Sequence, residues 1–84
     1  MRLMSDPGRN KEVSDEEIVR AIALHPDPVV MASEVAESVD MSKQGVNKRL
    51  RELADEGYVV RKEVGARAVI YWLDDKGREL ATDA

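Results

Sequence analysis

MASEVAESVDMSKQGVNKRLRELADEGYVV, running from Met31 to Val60, is the stretch that decides the fold. It contains two segments whose apolar residues recur at helical spacing. In the first, Ala32 to Val39, the residues Val35, Ala36 and Val39 share one side. Met31 is a poor N-cap for it, and Ser33 is an alternative start. Asp40-Met41 forms the turn, since Asp tolerates the left-handed backbone that such turns use. Ser42 then caps a second helix, predicted over residues 42–56 and stopped by Gly57. At about 100° per residue, Val46, Leu50, Leu53 and Ala54 of this helix form one buried stripe.

Upstream, Val13-Ser14-Asp15-Glu16-Glu17-Ile18 is a complete helix start. Ser14 and Glu17 are the two halves of a capping box, and Val13 with Ile18 is a hydrophobic staple. Ile18, Ala21, Ile22 and His25 continue the helical period until Pro26 ends it. Pro26-Asp27-Pro28 is a stiff turn, and Val29-Val30 a very short strand. Residues 1–12 are polar and without period, and are read as a flexible arm. The domain is therefore expected over residues 13–82.

Downstream, Tyr58 to Val64 and Arg67 to Leu73 are rich in Val, Ile and aromatic residues, with Gly65-Ala66 between them. A two-residue type II′ loop with Gly at its first position fits this spacing. That register places Tyr58, Val60, Val69, Tyr71 and Leu73 on one face, and Val59, Ile70 and Trp72 on the other. Asp74 caps a final short helix from Asp75 to about Ala81. Helix, optional strand, helix, tight turn, helix, hairpin and helix make an α+β winged helix: a three-helix core, a two-stranded wing and a short C-terminal helix.

Composition narrows the function classes. The chain has 84 residues, no Cys and one His, which leaves no disulfide, no thiolate metal site and no basis for a His-based triad. No apolar run reaches the roughly twenty residues of a membrane span, so a cytoplasmic protein without membrane contact is expected. No glycine-rich phosphate loop is present. The acidic pairs sit at helix starts, where they complement the helix dipole. An enzyme is not expected, and no cofactor or metal is assigned.

Net charge is −4, but it is unevenly spread. Ser42 to Arg67 carries seven basic residues against four acidic ones, a net of +3, which leaves −7 for the rest. The exposed side of helix 42–56 presents Gln44, Lys48 and Arg51, bordered by Asn47, with Ser42 and Lys43 in its first turn. These are the side-chain types that pair with base edges and phosphates. The bland alternative is an ordinary solvated face. Against it, no acidic residue lies between Ser42 and Arg51, so the usual Glu–Lys pairing of a merely soluble helix is missing. The hairpin adds Arg61, Lys62 and Arg67, which follow a phosphate backbone or, equally, protect an exposed strand edge. Val59, Ile70 and Trp72 are a patch for packing or for a homodimer contact. His25 is read as a cap or core residue.

The combination Ser42-x-x-x-Val46 with Arg51-x-Leu53-x-x-x-Gly57-Tyr58-Val59, followed by a basic hairpin and Tyr71-x-Leu73, resembles the prokaryotic winged helix-turn-helix regulators of the MarR and ArsR type. It looks most like their short archaeal members, including repressor-like proteins of haloarchaeal phages and plasmids. The resemblance covers about Ser14 to Ala81. It implies sequence-specific binding of double-stranded DNA, often as a homodimer on a palindromic site, usually in repression. Asp40 stands where the turn usually has Gly. The long dimerisation helices and the metal-sensing cysteines of larger relatives are missing, so a small-molecule effector is not expected. Two other readings stay open: a winged helix that contacts protein in transcription or replication machinery, and one that binds Z-form or structured nucleic acid.

Overall fold

The computed structural model describes residues 13–66 and 68–83. Residues 1–12, read above as an arm, and Arg67 of the wing lie outside the described residues. The elements are α1 (Asp15–Leu24), α2 (Ala32–Val39), α3 (Lys43–Asp55), β1 (Val59–Val64), β2 (Ala68–Leu73) and α4 (Asp75–Asp83).

Each helix begins where local chemistry can satisfy its free N–H groups. At α1 the capping box is closed in both directions: Glu17 N–H donates to Ser14 Oγ at 3.1 Å, and Ser14 N–H to Glu17 Oε1 at 3.0 Å. At α2, Met31 has no side-chain oxygen to offer, but its N–H donates to Glu34 Oε1 at 2.8 Å, so half a box forms without a hydroxyl. At α3, Ser42 Oγ accepts from Gly45 N–H at 3.0 Å. Between α2 and α3, Asp40 adopts φ 58° and ψ 49°, the left-handed conformation that the turn was expected to need. Gly57, with φ 89°, ends α3.

The expected stripe of α3 is the centre of the molecule. Val46, Leu50 and Leu53 are buried together with Ile18, Val19 and Ile22 of α1 and Val35 of α2. Val13 packs against this core as the staple predicts. A further tie escaped the sequence reading. Arg49, on the flank of α3, donates to Val13 O at 2.7 Å and to Asp15 Oδ1 at 2.6 Å, which fixes α3 against the start of α1.

The hairpin corrects the expected register. Val59 pairs with Leu73, Arg61 with Tyr71 and Val64 with Ala68, so three residues lie between the last pair rather than two. Because side chains alternate along a strand, a one-residue shift exchanges faces. Val59 therefore joins the core, at 3% exposure, and leaves the patch assigned to it with Ile70 and Trp72. Val60 takes its place opposite Trp72. The same shift turns Arg61 toward the helices, on the face of Tyr71 and Leu73, and puts Lys62 on the outer face.

Val30 completes this side of the molecule. Its N–H and C=O exchange hydrogen bonds with Tyr71 at 2.9 and 2.8 Å, a one-residue version of the expected short strand. Helix α4 returns against α1 and the foot of the wing. Gly77 lies beneath the Tyr58 carbonyl so closely that an added Cβ would collide with it. No helix of the described residues is long and apolar enough to cross a membrane.

Candidate nucleic-acid interface

The left-handed turn at Asp40 and the cap at Ser42 aim the first turns of α3 outward, beside the wing. Where α2, α3 and the hairpin meet they enclose a hollow of about 200 Å³. Lys43, Asn47 and Arg51 line it from α3, Arg61, Val69 and Tyr71 from the hairpin, and Met31, Ala32 and Ser33 from the start of α2. Among the described residues, three cationic side chains line it and no carboxylate does. A second, shallower depression of about 340 Å³ runs along α3 over Gln44, Asn47, Lys48 and Arg51, with Glu52 and Asp55 at its far end. Asn47 and Arg51 belong to both.

Tyr71 organises the hollow from below. It is wholly buried, and its hydroxyl donates to Asn47 Oδ1 at 3.2 Å. Its cross-strand partner Arg61 lies against the same hydroxyl. Contact with Tyr71 raises the Arg61 pKa above its ordinary value, with Glu63 adding to the effect and partial desolvation opposing it. Arg61 Nη1 also reaches Glu63 Oε2 at 3.5 Å, while its Nε–H is enclosed with no hydrogen-bond partner among the described residues. The wing and α3 are thus joined through one buried tyrosine.

Of the residues singled out from sequence, the structure brings together Lys43, Gln44, Asn47, Lys48, Arg51 and Arg61 on one side of the molecule. Ser42 adjoins them as the cap. Lys62 is exposed on the other face of the hairpin, and Arg67 is not among the described residues. Sequence reasoning misses the Tyr71–Arg61 pair, because the two-residue-loop register puts the two on opposite faces. Knowing that both Val59 and Leu73 are core residues would have fixed the register and revealed the pair.

His25 caps the end of α1 as expected. It stands within 4.8 Å of ligand atoms of Asp27 and Glu34, a set that in composition suits a metal ion. The hydrogen bonding opposes that use. His25 Nδ1 accepts from Asp27 N–H at 3.1 Å, so the neutral ring keeps its proton on Nε2, the nitrogen that faces Glu34 at 3.8 Å.

The model of the MarR family matches residues 17–68, from α1 through the turn of the wing and more than half of the chain. The chain belongs to the MarR family. Solved structures repeat its winged-helix fold. BpsR of Bordetella bronchiseptica, whose DNA binding is regulated by 6-hydroxynicotinic acid, is 17% identical with a TM-score of 0.72, over 93% of this chain and 59% of that one. ZitR of Lactococcus lactis is 21% identical with a TM-score of 0.69, over 98% and 54%. Human N-acetylserotonin methyltransferase, 16% identical with a TM-score of 0.67, contains the same form in 18% of its length, matched by 76% of this chain. Identities this low establish the shared fold. The MarR-type chain described here spans roughly half the length of the family regulators it matches. No curated protein sequence matches it.

Proposed function

We propose that this chain binds double-stranded DNA sequence-specifically and regulates transcription in the cytoplasm, as a repressor that occupies its operator as a homodimer. The observation that carries this reading is the hollow between α3 and the wing. In a chain of net charge −4, Lys43, Arg51 and Arg61 converge there beside Asn47, with no carboxylate lining the hollow among the described residues. Such a concentration of cationic and amide groups suits phosphate and base edges and little else on a protein of this charge. Helix α3 enters the major groove with Gln44, Asn47, Lys48 and Arg51 leading, and Glu52 and Asp55 stay at the end away from the bases. Arg61 follows the backbone from the wing, with Lys62 and Arg67 as outer phosphate contacts. The protein acts by binding, not by catalysis.

Family membership supports this reading, as do the MarR-type regulators of the same fold. No effector forms part of it. An open cavity of about 610 Å³, lined in part by Ile22, Pro26, Pro28, Trp72 and Arg78, has a volume within the range of ligand pockets.

Selection of bound sequences from a random duplex pool at several salt concentrations tests the proposal. A converged, palindromic product is expected, and its half-site spacing reports the dimer. Replacing Arg51 by Ala should weaken the selected site by about 1–3 kcal/mol and random duplex by less. A pool that never converges would remove the reading.

A further inference from the structure

Asn47 is held in one orientation by a residue that never reaches solvent. Tyr71 is 0% exposed, so its O–H proton must find an acceptor inside the protein. Its cross-strand partner Arg61, which lines the same hollow, can only donate. Among the described residues, the hollow above is lined by Lys43, Arg51 and Arg61 without a carboxylate. Asn47 Oδ1, at 3.2 Å, is therefore the acceptor, and this decides which way the carboxamide faces. A reversed amide would point N–H groups at the tyrosine oxygen and would leave the tyrosine proton buried without a partner.

We propose that Tyr71 is a positioning residue that turns Asn47 Oδ1 inward, toward its own buried hydroxyl, so that Asn47 presents its two N–H donors to DNA and favours guanine over adenine at the base it faces. An unconstrained Asn is the usual reader of adenine, because it gives one donor and one acceptor to N6 and N7. That pairing needs Oδ1 turned toward the base, whereas the bond from Tyr71 turns it toward the protein interior. Guanine presents two acceptors, O6 and N7, in the same place. Neighbouring Lys43 and Arg51 also supply donors alone, so the amino group of adenine meets no acceptor among these three side chains.

The inference rests on the DNA reading above, and the same selection separates the two when run with wild type, Asn47→Ala and Tyr71→Phe. Wild type should converge on a site where Asn47→Ala relaxes one position, and there guanine should exceed adenine by about tenfold, as one good base contact allows. Tyr71→Phe keeps the buried ring and removes only the hydroxyl. It should lower that ratio several-fold at the same position and leave the other positions unchanged. Loss of folded protein lowers binding to every sequence equally, so a ratio between two bases is insensitive to it. The proposal is overturned by adenine preference at the Asn47-dependent position, by Asn47→Ala changing no position, or by Tyr71→Phe leaving the ratio intact. A wild-type pool that fails to converge overturns the DNA reading and this inference with it.

Discussion

The two faces of the hairpin carry similar residues and have different fates. The inner face holds Val59, Arg61, Glu63, Val69, Tyr71 and Leu73; the outer holds Val60, Lys62, Val64, Ala68, Ile70 and Trp72. Each has β-branched residues, one aromatic and one cation. Inside, Val59, Tyr71 and Leu73 are part of the core, and Arg61 is carried with them to the mouth of the cationic hollow. Outside, Val60, Ile70 and Trp72 are half-exposed, and Lys62 extends into solvent. Position relative to the helices, not residue type, separates a site residue from a surface one. In a two-stranded wing a single step of register makes that choice.

The largest contrast should appear between the two aromatics. Tyr71→Ala removes a fully buried ring, two backbone-paired neighbours' packing and the hydroxyl bond to Asn47, and should cost about 3–5 kcal/mol. Trp72→Ala, although it deletes a larger side chain, should cost about 1 kcal/mol, because the ring borders an open cavity. Chemical denaturation of both variants measures the difference. Equal losses would mean that the outer face is buried in solution, against a second copy of the chain.

The valines give a smaller but cleaner comparison. Val59→Ala should lose about 2 kcal/mol and Val60→Ala less than about 1 kcal/mol, since only Val59 is enclosed. The two-residue loop expected from Gly65-Ala66 requires the opposite order. Denaturation midpoints of this neighbouring pair therefore test the register itself.

For the cations the readout is DNA. Arg61→Ala should weaken binding to a mixed-sequence duplex by about tenfold and flatten the salt dependence by one phosphate contact. Lys62→Ala should weaken it by about threefold or less, because its side chain leaves the hairpin away from α3. Affinities measured over a range of salt concentrations check both. A larger effect at Lys62 would place the duplex on the outer face.

These contrasts also mark what was legible in the sequence. The helix starts at Ser14 and Ser42, the left-handed Asp40 and the stop at Gly57 are local events, decided by residues within four positions of one another, and the structure reproduces each. The stripe Val46, Leu50 and Leu53 likewise follows from period alone. The hollow does not. It depends on contacts between residues far apart in the chain: Asn47 with Tyr71, and Arg49 with Val13 and Asp15. Arg49 and Arg51 are two positions apart and chemically identical, yet one ties α3 to α1 and the other lines the cationic hollow with no ion pair among the described residues. Gly77 shows the same limit, since only the approach of the Tyr58 carbonyl explains why a helix tolerates glycine there.

Deleting Ala66 has the smallest expected effect and bears most directly on what sets the register. The deletion shortens the connection to two residues beginning with Gly65, the arrangement first expected from the sequence. Two outcomes compete. If the three-residue length of the loop dictates pairing, Val64 moves opposite Val69 and the strands slip, so that Val59 no longer shares a face with Tyr71 and Leu73, at a cost of several kcal/mol. If the buried face dictates it, Val64 stays opposite Ala68, and a Gly-first two-residue turn, well suited to right-twisted strands, closes the same ladder. Turn preferences are worth about 1 kcal/mol, whereas Val59, Tyr71 and Leu73 together bury several times that amount. The buried face should prevail. The shortened chain should keep the hydrogen bond between Tyr71 and Asn47, visible in the side-chain amide spectrum of Asn47, and should lose less than about 1 kcal/mol in denaturation.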